Sequence, residues 1–194
     1  MRKIDLLDTA SPRATILTSL SIKSCRFSVG VGARRYLYLS GGYSDVEILR
    51  EAHEYDIVTN RWSRLPNLLK ARECHSSVVI ADTLYIMGGI MENGGISHGF
   101  DDIECIKPRI EMAWRFFLRI HKAIVILRNA FAISSSEVCL VGGANIYEGC
   151  IVNLNKKSFR KFMNKDLDLQ MTLKGSPQIQ WAGRQRFITF GEKW

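Results

Sequence analysis

The chain has no apolar run long enough to cross a bilayer. Its longest, Ala123–Leu127, is 5 residues, against the roughly 20 that a membrane helix needs. The opening MRKIDLLD interleaves charge with apolar side chains and lacks the apolar segment of a secretion signal. These absences lead us to expect a cytoplasmic address and no membrane span. Cysteine is odd in number, with Cys25, Cys74, Cys105, Cys139 and Cys150 and no CxxC spacing. That argues against a disulfide framework and against a zinc site; Cys139, in an apolar stretch, reads as a small hydrophobe. Histidine is scarce too: His53, His75, His98 and His121 show no ligand spacing. There is no GxSxG, and Gly94-Gly95 is not part of a GxxxxGK[ST] phosphate loop. Asp101, Asp102 and Glu104 read as acids of a solvated loop rather than a catalytic pair. We expect no enzyme activity, no metal and no cofactor.

What the chain does have is a recurring strand–glycine unit, clearest from Tyr36 to Gly89. YLYLSGG is followed by a polar stretch holding Tyr55 and Trp62, then by Arg72, His75-Ser76 and LYIMGG. A glycine pair can adopt φ > 0 and admit a neighbouring group close to the backbone. Between Tyr55 and Trp62 lie Asp56, Thr59 and Asn60, residues that suit a tight turn. Folding there brings the two rings together across a hairpin. Aligned on the first glycine, Gly41, Gly88, Gly142 and Gly191 are separated by 47, 54 and 49 residues. The hairpins before them align without gaps: SVGVGARRYLYLSGG, HSSVVIADTLYIMGG, NAFAISSSEVCLVGG and QIQWAGRQRFITFGE. Each first strand is rich in small residues, as expected where strands converge.

This pattern resembles the kelch repeat, in which units of about 50 residues each build one four-stranded blade of a β-propeller. The resemblance covers roughly residues 25–194 and implies an all-β fold of three to four kelch-like blades, with an incomplete ring among the outcomes. The blades would fall near 25–70, 71–125, 126–163 and 164–194. Later copies are weaker. Val152 and Phe159 replace the Tyr and Trp; in the middle copy Cys105 falls near the Tyr position and Met112 or Trp114 near the Trp position. An N-terminal segment, 1–24, contains the strand-like ILTSLSI, either the outer strand of the first blade or the remnant of another. Known kelch rings have more blades, so the chain would be a truncated product, self-associate as a paired half-ring or close as a small ring.

Two long loops stand out, Tyr43–Arg50 and Ile90–Phe100. The segment 107–128 reads as an outer strand and a lengthened crossover, with a basic amphipathic helix carrying Ile110, Trp114, Phe117, Leu118, His121 and Val125 as the alternative. Net charge is +8, unevenly spread, with residues 36–106 carrying 11 acidic and 5 basic groups.

The resemblance implies a non-enzymatic protein–protein interaction module, a scaffold or adaptor, whose partner surface is made by the loops. On this chain that means Tyr43, Ser44, Asp45, Arg72, Cys74, Asn93, Asn145 and Tyr147, though Arg72 and His75 also belong to the repeat pattern itself. The charge suggests an alternative: electrostatic binding of nucleic acid or an acidic membrane surface through 107–128 and 151–194. Basic residues do alternate with Phe159 and Phe162, but the alignment of Phe159 with Trp62 places it inside a blade.

Overall fold

The computed structural model describes residues 2–8, 15–22, 27–32, 35–120, 129–141, 148–163, 178–181 and 187–190. Among them every regular element is a strand. Three blades are complete, each a four-stranded antiparallel sheet. The first is β3 (Ser28–Gly32), β4 (Tyr36–Ser40), β5 (Ala52–Asp56) and β6 (Arg61–Leu65) in simple order, following β1 (Arg2–Asp8) and β2 (Thr15–Ile22) in the chain. The second is β7 (Ser76–Ile80), β8 (Thr83–Met87), β11 (Asp102–Ile106) and β12 (Arg115–Arg119), with β9 (Ile90–Asn93) and β10 (Ile96–Gly99) inserted as a separate ribbon. The third runs β13 (Asn129–Ala132), β14 (Glu137–Val141), β15 (Glu148–Asn153) and β16 (Ser158–Met163). A fourth hairpin follows, β17 (Gln178–Trp181) and β18 (Phe187–Phe190).

The first strands β3, β7, β13 and β17 touch in succession, which arranges the blades radially. Small residues make that approach possible. Ser28 and Ser77 meet through their hydroxyls at 2.7 Å, and a Cβ on Gly30 would stand 3.1 Å from Leu84. A blade between two others has no solvent face, so its strands lose the usual alternation of apolar and polar residues. All five residues of β8, TLYIM, are buried. Leu84 and Ile86 pack with Tyr38, Ala52 and Leu65 of the first blade; Tyr85 and Met87 pack with Val138, Leu140, Cys150 and Val152 of the third. Fully burying each such side chain stabilises by roughly 1.5–3 kcal/mol. A further layer, Cys139, Val141 and Ile151, lies on the far face of the third blade, where burial pushes the Cys139 thiol up to about 12.

Tyr55 and Trp62 are directly paired on β5 and β6, their ring centroids 4.8 Å apart. The Tyr55 hydroxyl donates to Asn60 at 2.8 Å, and Asn60 supplies the positive φ that the turn requires. In the third blade Val152 and Phe159 occupy the same paired register.

Several expectations need correction. The stretch Ile90–Phe100 is not an irregular loop: it holds the β9–β10 ribbon, turned at Gly94-Gly95. ILTSLSI forms β2 but pairs with β1; the outer position of the first blade belongs to β6. Over 107–128 the outer-strand reading holds where the chain is described, Arg115–Arg119 being β12, and the alternative helix does not form there; residues 121–128 lie outside the described residues. In the second blade the counterpart of Tyr55 is Ile106, which faces Leu84 as Tyr55 faces Leu37. Continuing the register opposite Ile106 leads to Trp114, buried and donating to the Pro66 carbonyl at 2.8 Å, whereas Met112 is exposed. Phe159 does not pack inside its blade; it is 36% exposed.

Candidate protein-interaction face

In each blade the connections alternate between two ends. In the first two blades the second-to-third connections, 41–51 and 88–101, are longer than the third-to-fourth ones, 57–60 and 107–114, and lie with the 66–75 crossover at the other end. The loop end is best defined at the junction of the first and second blades, where residues 66–75 cross over. Their backbone is tied to both sides. The Gly42 amide donates to the Arg72 carbonyl at 2.9 Å and the Arg72 amide donates to Leu49 at 3.1 Å. Glu73 exchanges amide–carbonyl bonds with Ile90 at 3.0 and 2.9 Å. The crossover therefore stitches the 43–50 loop to the base of the β9–β10 ribbon.

Beneath it lies a buried charge cluster. The Arg72 guanidinium, 0% exposed, donates to the Gly88 carbonyl at 2.7 Å and to Asp102 at 3.1 Å. It also lies 2.8 Å from Glu104, an ion pair whose angles are not those of a hydrogen bond. Lys70 donates to the other Asp102 oxygen at 2.6 Å, and the Leu69 amide donates to Glu104 at 2.7 Å. The Phe100 ring receives both cations, with Lys70 at 4.9 Å and Arg72 at 4.7 Å from its centroid. Burial pushes both carboxyls up. At Asp102 the charges of Arg72 and Lys70 outweigh burial and the net shift is downward; at Glu104 burial prevails and the shift is upward. Asp102 and Glu104 are thus buried strand residues, not the solvated loop acids expected.

His75 adjoins this cluster. Its Nε2 lies 2.9 Å from the Ser40 hydroxyl, and burial, reinforced by the Arg72 charge, lowers its pKa to about 3. A serine–histidine contact invites a nucleophilic reading, but a general base needs an orienting partner on its other nitrogen and access to substrate. Here Nδ1 is buried without a hydrogen-bond partner, and the ring is packed against Gly41. The pair serves packing between blades. Among the described residues no three His, Cys, Asp or Glu side chains are grouped to hold a metal ion.

The candidate residues separate clearly. Tyr43, Ser44 and Asp45 share a tight loop closed by a bridge from Tyr43 to Ile48. Ser44 is buried and works as the turn residue, donating to the Glu47 carbonyl and accepting from its amide, both at 3.0 Å. Tyr43 is half-buried and Asp45 exposed. Arg72 offers no surface to a partner, because its guanidinium is enclosed between the blades. Cys74 is half-buried at positive φ in the crossover. Asn93 ends β9 at the tip of the ribbon. Asn145 and Tyr147 lie outside the described residues. Exposed beside Asp45 are Val46, Glu47 and Arg50 on the loop, with Glu92, Ile96, Ser97 and His98 on the ribbon. Their only sequence signal was membership of polar, glycine-containing stretches.

Residues 25–69 match the family model described as the Kelch motif. The first blade thus carries a kelch motif. The chain is 39% identical over 57 residues to Kelch repeat protein M-T8 of Myxoma virus, 29% of this chain and 11% of that protein. It is 34% identical over 86 residues to human Kelch repeat and BTB domain-containing protein 8, 40% of this chain and 14% of that one. The matched segments are thus a small part of either relative. Among solved structures, that of YjhT superposes with a TM-score of 0.64 at 12% identity, covering 90% of this chain and 61% of the other. That likeness is one of fold.

Proposed function

We propose that the chain is a non-enzymatic protein-binding module, a kelch-type scaffold or adaptor, that takes its partner at the loop end of the first two blades. The observation that carries this reading is the stitching of the 43–50 loop and the β9–β10 ribbon to one crossover. Two sequence-distant segments are thereby held in a fixed relation, as a recognition surface requires. Asp45, Glu47 and Glu92 are exposed on this face, while its exposed cations, Arg50 and Lys70, donate to the Leu68 carbonyl and to Asp102, and Val46 and Ile96 add exposed apolar contact. A partner segment bearing Lys or Arg beside an apolar residue fits that chemistry. Kelch relatives with BTB domains support an interaction role in general terms. The 66–75 crossover and its buried cluster are the support of the face rather than its contact surface.

The test is affinity capture, with each partner identified by mass spectrometry and then re-measured as a purified pair. Asp45→Lys with Glu47→Lys should reduce binding by tenfold or more, while a change at the opposite end, Lys156→Ala, should leave it intact. A partner indifferent to the first pair of changes would refute the assignment of this face. Solution mass by light scattering distinguishes a protein partner from a second copy of the chain.

A further inference from the structure

The end opposite the loops has a different chemistry, and its turns form one surface. In the first blade the Ile57 amide donates to the Arg35 carbonyl at 3.0 Å, joining the two turns. In the third, the Leu154 amide donates to Ser136 at 2.7 Å. Between blades, Arg109 from the β11–β12 turn donates to the Tyr38 hydroxyl at 3.0 Å, pairs with Glu54 and stacks 3.8 Å from the Tyr36 ring centroid. Lys157, from the β15–β16 turn, reaches over Phe117 of the second blade at 5.5 Å.

The tips of these turns carry aliphatic side chains that no packing explains. Val58 is 72% exposed, Ile110 73% and Met112 89%, with Ile133 also exposed. One such residue on a surface is ordinary; several at the tips of turns from three adjacent blades are not. Around them stand the exposed cations Lys107, Lys156 and Lys157, with Arg115 also exposed but paired to Glu111. The acids at this end are mostly engaged: Asp56 with Arg35 at 2.7 Å, Glu111 with Arg115 at 3.3 Å and Glu54 with Arg109. Glu137 accepts from Asn153, and Asp82 stands exposed on the β7–β8 turn.

We propose that this turn end is a second binding surface, which docks peripherally on an anionic lipid bilayer. Aliphatic tips entering the boundary between headgroups and acyl chains, with Lys and Arg at headgroup level, are the two components such docking needs. Single-stranded nucleic acid would use the same cations but requires aromatic platforms for stacking. The turn tips are aliphatic; the exposed rings at this end, Phe116 and Phe159, lie on strands β12 and β16 behind the tips, and Phe117 is already covered by Tyr85, at 5.2 Å between centroids, and by Lys157. The surface lies at the other end of the blades from the protein-binding face, so either assignment can fail without the other.

The experiment is vesicle co-sedimentation of the full chain, with phosphatidylcholine alone and with about 30 mol% phosphatidylserine added. Binding should require the anionic lipid and weaken as salt rises from about 0.05 to about 0.5 M. Ile110→Ser with Met112→Ser should lower partitioning by about tenfold, and Lys156→Ala with Lys157→Ala by on the order of tenfold or more. All four positions are exposed, so the variants should keep the wild-type circular dichroism and melting temperature. Asp45→Lys with Glu47→Lys, at the loop end, should not weaken partitioning. No binding to anionic vesicles overturns the proposal, as does binding indifferent to the loss of Ile110 and Met112. Competition by an oligothymidylate that displaces the chain from vesicles, with the serine variants binding it as wild type does, would identify a nucleic-acid surface instead.

Discussion

Arg72→Met removes the guanidinium from the junction of the first two blades while keeping much of the apolar stem. The residue is 0% exposed, and Asp102 and Glu104, its two acidic partners, are nearly so. Lys70 still reaches Asp102 at 2.6 Å, so the loss falls mainly on Glu104, left with the Leu69 amide, and on the Gly88 carbonyl. Removing one partner of a buried ion pair costs about 3–5 kcal/mol, a large share of a domain's net stability of roughly 5–15 kcal/mol. For a chain of this length that is a fall in Tm of roughly 6–20 °C. The pH dependence separates this mechanism from simple loss of packing. Without its cation the Glu104 carboxyl, already raised by burial, rises further above its unfolded value. A carboxyl raised on folding costs stability when ionised and relieves that cost as pH falls through its folded pKa. The deficit of the variant should therefore shrink on acidification, and adding Glu104→Gln should recover part of it at neutral pH. Urea unfolding followed by tryptophan fluorescence across a pH series measures all three. A loss below about 1 kcal/mol, a deficit independent of pH, or no rescue by Glu104→Gln would refute the argument.

Two further changes probe the same junction. A Cβ on Gly41, at φ +56, would stand 2.3 Å from the Arg72 carbonyl and 2.6 Å from the His75 ring, whereas at Gly94, φ +60, it would meet nothing within 4 Å. Gly41→Ala should cost more than about 3 kcal/mol and Gly94→Ala about 1–2 kcal/mol, the cost of the left-handed backbone alone; equal costs in thermal melts would contradict the close approach. His75, buried neutral with its pKa lowered from 6.5 to about 3, contributes full stability above pH 6.5 and loses it as pH falls from 6.5 toward 3, by on the order of several kcal/mol. His75→Gln should flatten that part of a plot of urea midpoint against pH, and an unchanged slope would sink the assignment.

What was legible in the sequence was what depends on neighbours along the chain. Tyr55 and Trp62 announce their hairpin because the turn between them is local, and the glycine spacing announces the blades because each hairpin is a local unit. The buried cluster was illegible for the opposite reason: Arg72 meets Asp102 and Glu104 only after the intervening hairpin has been laid down, and in sequence those acids follow a polar, glycine-containing stretch. The ribbon was hidden because IMEN and ISHG lack the apolar alternation of a strand buried on one face. Between Ile103 and Glu104 of β11 the pairing steps from Leu118 to Phe116, leaving Phe117 of β12 as the bulged residue. That lets Phe117 turn inward onto Tyr85, and the apolar spacing then mimics a helix. Of the candidate residues, Tyr43, Ser44 and Asp45 share one loop and Asn93 ends a strand of the ribbon that reads in sequence as a loop, whereas Arg72, drawn from the repeat pattern, is buried beneath them.

The placement of Arg72 also bears on how the protein is made. Asp102 lies 30 residues downstream, so at a synthesis rate of about 5–20 residues per second the arginine leaves the ribosome roughly 1.5–6 s before its counterion follows. During that interval the first blade has a docking face and nothing to dock on. A chaperone holding the nascent chain, or a pause in translation near the end of β11, would decide whether that face waits or aggregates.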